Sequence, residues 1–177
     1  MGIKKQGIVI FCIAILSGCT GNQQVISEPA SQILHAIMEC PNDELFPDHF
    51  PYIGIGDTEK TESEQKITNE DQEKSAWEAA VGDCFAGDMF TSFYEQWERT
   101  AYLGYAYAMD LQIEVVEISG LDYKNEIQHV LVKMDVTDSE GNESVYNQEW
   151  RIFYDQDCTS LVQKVELLDD DGFFSYE

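Results

Sequence analysis

Basic residues are scarce in this chain: 10 lysines and arginines face 34 aspartates and glutamates, a formal charge of −24. Those few are scattered, whereas a phosphate backbone needs clustered cations, so nucleic acid is excluded as a partner. Long hydrophobic runs are missing too. The run Ile8 to Leu16 has nine residues, and crossing a bilayer core of about 30 Å takes about 20 helical residues. Cys-x-x-Cys and His-Glu-x-x-His do not occur, and His35, His49 and His129 are far apart, so the sequence signals no metal. It signals no cofactor either. Gly54-Ile55-Gly56 lacks the third glycine and the Lys-Ser/Thr ending of a phosphate loop. The acidic stretch Asp138 to Asn142 fails as a calcium loop, because Gly141 in sixth place would put Val136 where a carboxylate is required.

What is present begins at the N-terminus. Lys4 and Lys5, the short apolar run and the small residues Ser17 and Gly18 have the layout of a secretory signal. The tetrad Leu16-Ser17-Gly18-Cys19 resembles the lipobox of bacterial lipoproteins. That resemblance implies a diacylglyceryl group (palmitate or a similar acyl chain) on the thiol of Cys19, which becomes the first residue of the mature chain. Localisation on the extracytoplasmic face of the cell membrane is then expected. Each buried methylene contributes roughly 0.8 kcal/mol, so two or three chains hold a domain permanently without help from protein charge. Losing residues 1–18 removes two lysines and no acid, which makes the charge more negative by two. Of the five cysteines, Cys40, Cys84 and Cys158 remain, open between one disulfide plus a thiol and buried thiols packing as small hydrophobes.

Three regions are expected: a signal peptide over 1–18, a tether over 19–27 and a single α+β domain over 28–177. Aromatic (12 %) and apolar (44 %) contents suit one globular core. Ser27 and Pro29 start a helix in which Ile33, Leu34, Ile37 and Met38 recur at helical spacing until Pro41. Residues 41–69 lose periodicity and read as a long loop, of which Phe46 belongs to the aromatic part expected to pack on the core. A second helix is signalled from Glu70 to Cys84 with Asn69 as its cap. Asp88 caps the next, where Met89, Phe90, Phe93, Tyr94 and Trp97 are spaced helically and Leu103 and Ala106 continue the pattern. From Leu111 the period changes to two. Strands are expected from Leu111 to Ile118 with a parity shift at Val115-Val116 that fits a bulge or a strand buried on both faces, around Val130 to Val136, from Val145 to Tyr154, and from Leu161 to Leu167. Gly120 to Lys124 reads as the first turn. The strand set over 111–168 is a four-stranded antiparallel meander. Asp169-Asp170-Asp171-Gly172 reads as a solvated acidic tail.

The helix Ile33-Leu34-His35-Ala36-Ile37 closed by Cys40-Pro41-Asn42, the helical region from Trp77 to Trp97 and the strands from Leu111 resemble small Gram-positive lipoproteins built on the nuclear transport factor 2-like fold. That likeness spans roughly 28–168. It implies N-terminal helices packed on a curved antiparallel sheet, cone-like, with a concave pocket between them. Tyr94, Trp97, Tyr102 and Trp150 are the candidate pocket residues, since aromatics at this density line pockets when they are not core. Two functions follow. One is a non-catalytic binding domain for an envelope protein, a peptide or a small molecule. The other is an isomerase-like or dehydratase-like enzyme with an acid and a base inside the cone, for which Tyr94, Tyr102 and Asp110 are of suitable type. No catalytic motif assigns those roles, and Cys19 is the one attachment site the sequence marks.

Overall fold

The computed structural model describes residues 25–46, 62–158 and 160–174, the side chains of 62–70 excepted. Cys19, the signal segment and most of the tether lie outside the described residues. Ser27 caps helix α1 (Glu28–Met38) by accepting from the Ala30 N–H at 3.2 Å, with Pro29 in the first turn, where its missing donor costs nothing. Ala30, Ile33, Leu34, Ile37 and Met38 form its buried face. The chain then turns back through Asn42, whose Oδ1 accepts from Leu45 N–H, and buries Leu45 and Phe46.

Helix α2 (Glu62–Val81) begins well before Asn69, so the end of the segment read as loop is helical. The sequence from 62 to 75 holds good helix formers (Glu, Gln, Lys) but no apolar stripe, and a reading by hydrophobic period finds only the part carrying Trp77 and Val81. At its other end a 3₁₀ turn over Gly82–Cys84 takes the place of the expected last helical turn. Helices α3 (Met89–Tyr94) and α4 (Glu98–Met109) follow. Asp88 stands at the start of α3 but makes no side-chain capping bond.

The sheet is a meander in the order β1 (Gln112–Lys124), β2 (Ile127–Thr137), β3 (Glu143–Tyr154), β4 (Val162–Asp169), with every pair antiparallel. β1 runs through the residues read as a turn. The reversal is at Asn125 and Glu126, both at positive φ, a two-residue hairpin with no glycine to announce it. β1 carries one extra residue between Val115 and Glu117 and another between Gly120 and Asp122. Such bulges bend a strand, and the four-stranded sheet stays open. Both of its outer strands are partly covered. Cys40 exchanges two main-chain hydrogen bonds with Ile113 of β1, and Ala86 N–H donates to Val162 O of β4 at 2.9 Å. Helix α1 packs on α4, α2 and β1, and α3 packs on β4. The core between the layers holds Trp77, Phe93, Tyr102, Met134, Trp150 and Ile152. The architecture is α+β, helices first and then an antiparallel sheet.

Candidate functional site

The inner face of β3 is built by alternation: Gln148, Trp150, Ile152 and Tyr154 are all buried. Opposite Trp150, α4 contributes Tyr102, fully buried, with ring centroids 6.0 Å apart. Two of the four aromatics expected to line a pocket are thus brought together. Trp97 lies at the margin. It is 61 % exposed and touches the cluster through an edge contact with Phe174 at 6.4 Å. The chain leaves the helix between α3 and α4, so the helical spacing that would carry Trp97 inward loses phase. Tyr94 instead packs on Phe90 and lies under Arg99, whose guanidinium is 4.0 Å from its ring centre. Arg99 also donates to Tyr94 O at 2.8 Å and pairs with Glu73 at 2.5 Å, so this buried carboxylate is held in an ion pair.

The space beside Tyr102 and Trp150 is filled from the C-terminal side. Asp171 and Gly172 both take positive φ, and Phe173 N–H donates to Asp170 O at 3.0 Å, which makes a tight turn of the primed type. That turn directs Phe173 inward, where it is 3 % exposed. Its ring stacks on Tyr102 at 5.3 Å and meets the edges of Tyr105 at 5.0 Å and Tyr146 at 5.3 Å. Burying such a ring contributes on the order of 2–3 kcal/mol, and each aromatic pair about 1 kcal/mol more. The residues read as a solvated acidic tail are therefore a folded turn. Asp170 accepts from Gly172 N–H at 3.0 Å and Phe174 N–H at 3.1 Å, Asp169 accepts from Asp171 N–H at 2.9 Å, and Asp171 accepts from Asn147 N–H at 2.9 Å.

A polar thread crosses this aromatic packing. The Tyr102 hydroxyl donates to Gln148 Oε1, and Gln148 Nε2 donates to Asp170 O at 2.7 Å. Burial, with the Asp170 carboxylate nearby, pushes the Tyr102 phenol far above its ordinary range, so it acts as a neutral donor. Gln148 is fully buried, and its two amide atoms fix both the phenol and the turn. The indole Nε1 of Trp150 is buried and has no hydrogen-bond partner among the described residues. Strand parity placed Trp150 here. Gln148 has the same parity, and a polar residue on a core face is the signal that marks it. Phe173 was signalled only by the Asp-Gly pair before it, a turn signature that sends the chain back.

Asp110 is exposed and caps α4 in a left-handed conformation, outside this cluster. Cys40, Cys84 and Cys158 are free thiols, the first two buried and the last exposed. No group of three or more His, Cys, Asp or Glu among the described residues is arranged to hold a metal ion. Two open clefts lie elsewhere. One of about 280 Å³ is lined by Pro29 and Gln32 of α1 and Ala79 and Ala80 of α2, and one of about 190 Å³ by His35 of α1 and Val116 of β1. Neither is lined by Phe, Tyr or Trp. No helix among the described residues is long and apolar enough to cross a membrane. No family model matches the chain, and no curated protein matches its sequence.

Proposed function

We propose that this protein is a lipoprotein, anchored through lipid on Cys19 to the extracytoplasmic face of the cell membrane, whose α+β domain is a non-catalytic binding module. The observation that carries the anchor is Leu16-Ser17-Gly18-Cys19 directly behind a nine-residue apolar run and two lysines. Helices followed by a bulged four-stranded meander support the likeness to the nuclear transport factor 2-like cone. Binding in place of catalysis is supported by what the interior offers. Tyr102 donates to an amide, Glu73 is tied to Arg99, and Asp110 is exposed, so these groups form no acid–base pair among the described residues. An aromatic wall threaded by a phenol, an amide and an indole N–H recognises shape and hydrogen bonds.

Membrane fractionation of cells expressing Cys19→Ala tests the anchor. The substitution should release the domain or leave an uncleaved precursor, seen as a mass that keeps residues 1–18 and lacks acyl chains. Unchanged fractionation and unchanged mass would remove the lipid assignment.

A further inference from the structure

We propose that the C-terminal turn Asp170–Phe174 is an internal stand-in ligand, and that the pocket it fills binds an aromatic-bearing turn of a partner protein, flanked by basic residues. The inference rests on the binding-module reading and names its site and partner class. Three observations carry it. First, the turn is seated as a ligand would be: one buried ring against Tyr102, Tyr105 and Tyr146, and one main-chain carbonyl accepting from Gln148 Nε2 at 2.7 Å. Second, the indole packed against Tyr102 keeps an unused donor, the buried Trp150 Nε1, which has no partner among the described residues. A segment with one more acceptor can satisfy it, and a buried donor left unpaired is costly.

Third, charge disfavours the resident segment. Asp169, Asp170 and Asp171 are three of the 34 carboxylates of a molecule at −24, partly offset by the main-chain N–H groups they accept from. A competing turn with cations in the flanking places keeps the ring and the carbonyl and replaces repulsion with attraction. A second copy of this chain would bring the same acids and the same repulsion, which is why the partner is a different, basic protein. Covalent linkage through β4 favours the resident turn, because a linked segment acts at an effective concentration in the millimolar range. Exchange is therefore seen best after the turn has been weakened.

The test uses the full-length chain in detergent and fluorescent peptides Asp-Asp-Asp-Gly-Phe-Phe, Asp-Asp-Asp-Gly-Ala-Ala, and the first preceded by two lysines, read by anisotropy. Phe173→Ala empties the ring site. Asp170→Ala removes the carboxylate that accepts from Gly172 and Phe174 and leaves the aromatic packing in place. Both variants, if they melt cooperatively, should bind the Phe-Phe peptide at least tenfold tighter than the intact chain, and the Ala-Ala peptide at least tenfold more weakly. The Trp150 indole N–H resonance, shifted in Phe173→Ala, should return toward its native position on addition of peptide. Folded variants that fail to bind would overturn the proposal. So would an unfolded Phe173→Ala together with a folded Asp170→Ala that does not bind, since Phe173 is then only core. At low salt the lysine-bearing peptide should bind several-fold tighter than its parent. Equal binding, or a dimer of the intact chain that the free peptide dissolves, overturns the basic partner. Because binding is read in detergent, its failure leaves the Cys19→Ala result untouched, and the converse holds.

Discussion

Three thiols show how far local surroundings separate identical side chains. Cys40 is pushed up to about 11, first by burial and then by the Asp43 carboxylate; Cys84 is raised by burial and by Asp83 and Glu28. Cys158 moves down, because the hydroxyl and N–H of Ser160 stabilise its thiolate, and it is exposed. Only the thiolate is nucleophilic, so at pH 8 about one Cys40 in a thousand is reactive, even before access is considered. In a chain beginning at Thr20, iodoacetamide at pH 8 should modify Cys158 at least tenfold faster than the other two, which react once the chain is unfolded. Mass mapping of the alkylated peptides checks this, and equal rates in the folded chain would refute it. Residue identities were legible unevenly at the candidate site. Trp150 could be read from strand parity and Tyr102 from the density of aromatics in the helical region. Gln148 could not be paired from sequence, because the phenol it holds lies 46 residues away. Trp97 was misplaced because the helix breaks before α4.

Among the elements, β1 holds the clearest link between sequence and shape. Val115 stands opposite Met134 and Glu117 opposite Lys133, so Val116 is the extra residue, and Leu121 is the extra one between Gly120 and Asp122. Both are about half exposed, at 48 % and 52 %, whereas Val115 is 7 % exposed. The bulges push one apolar side chain out at each site and keep Ile113, Val115 and Gly120 in phase with the core face of β2. Val116→Lys should therefore change stability by no more than about 0.5 kcal/mol, while Val115→Lys should cost on the order of 3 kcal/mol or more by placing an ammonium in the core. Urea unfolding of the two variants decides it. Similar losses would mean that the bulge does not hold in solution. Adjacent valines break a period of two, which fits a bulge or a strand buried on both faces, and the exposure of Val116 decides for the bulge. The first hairpin was not legible, since Asn125-Glu126 adopts positive φ without glycine and the true glycine, Gly120, sits inside the strand. The start of α2 escaped for a related reason: its first turns carry helix propensity but no apolar face for a periodic reading to find.

Across the whole molecule the excess of acid outweighs the pairing available to it. Arg99 with Glu73 is buried and little affected by salt, and Arg151 with Glu166, at 2.6 Å, is partly exposed and worth only about 0.5 kcal/mol. Against these few attractions stand 34 carboxylates and 10 cations, so the mean force between surface charges is repulsive and is strongest in the compact state. Raising sodium chloride from 0.01 to 0.1 M shortens the screening length from about 30 Å to about 10 Å, which weakens the long-range repulsion more than the contact pairs. If relief of that repulsion is worth about 1 kcal/mol, Tm rises by about 2–4 °C for a chain of this size. Thermal unfolding of a chain beginning at Thr20, followed by circular dichroism across that range, provides the measurement. A flat or falling Tm would show that local pairs dominate the surface field. The same field bears on the mode of attachment. A domain that repels anionic headgroups gains nothing from lying on them, so the proposed lipid on Cys19 would hold it close to the membrane while charge keeps it off the surface.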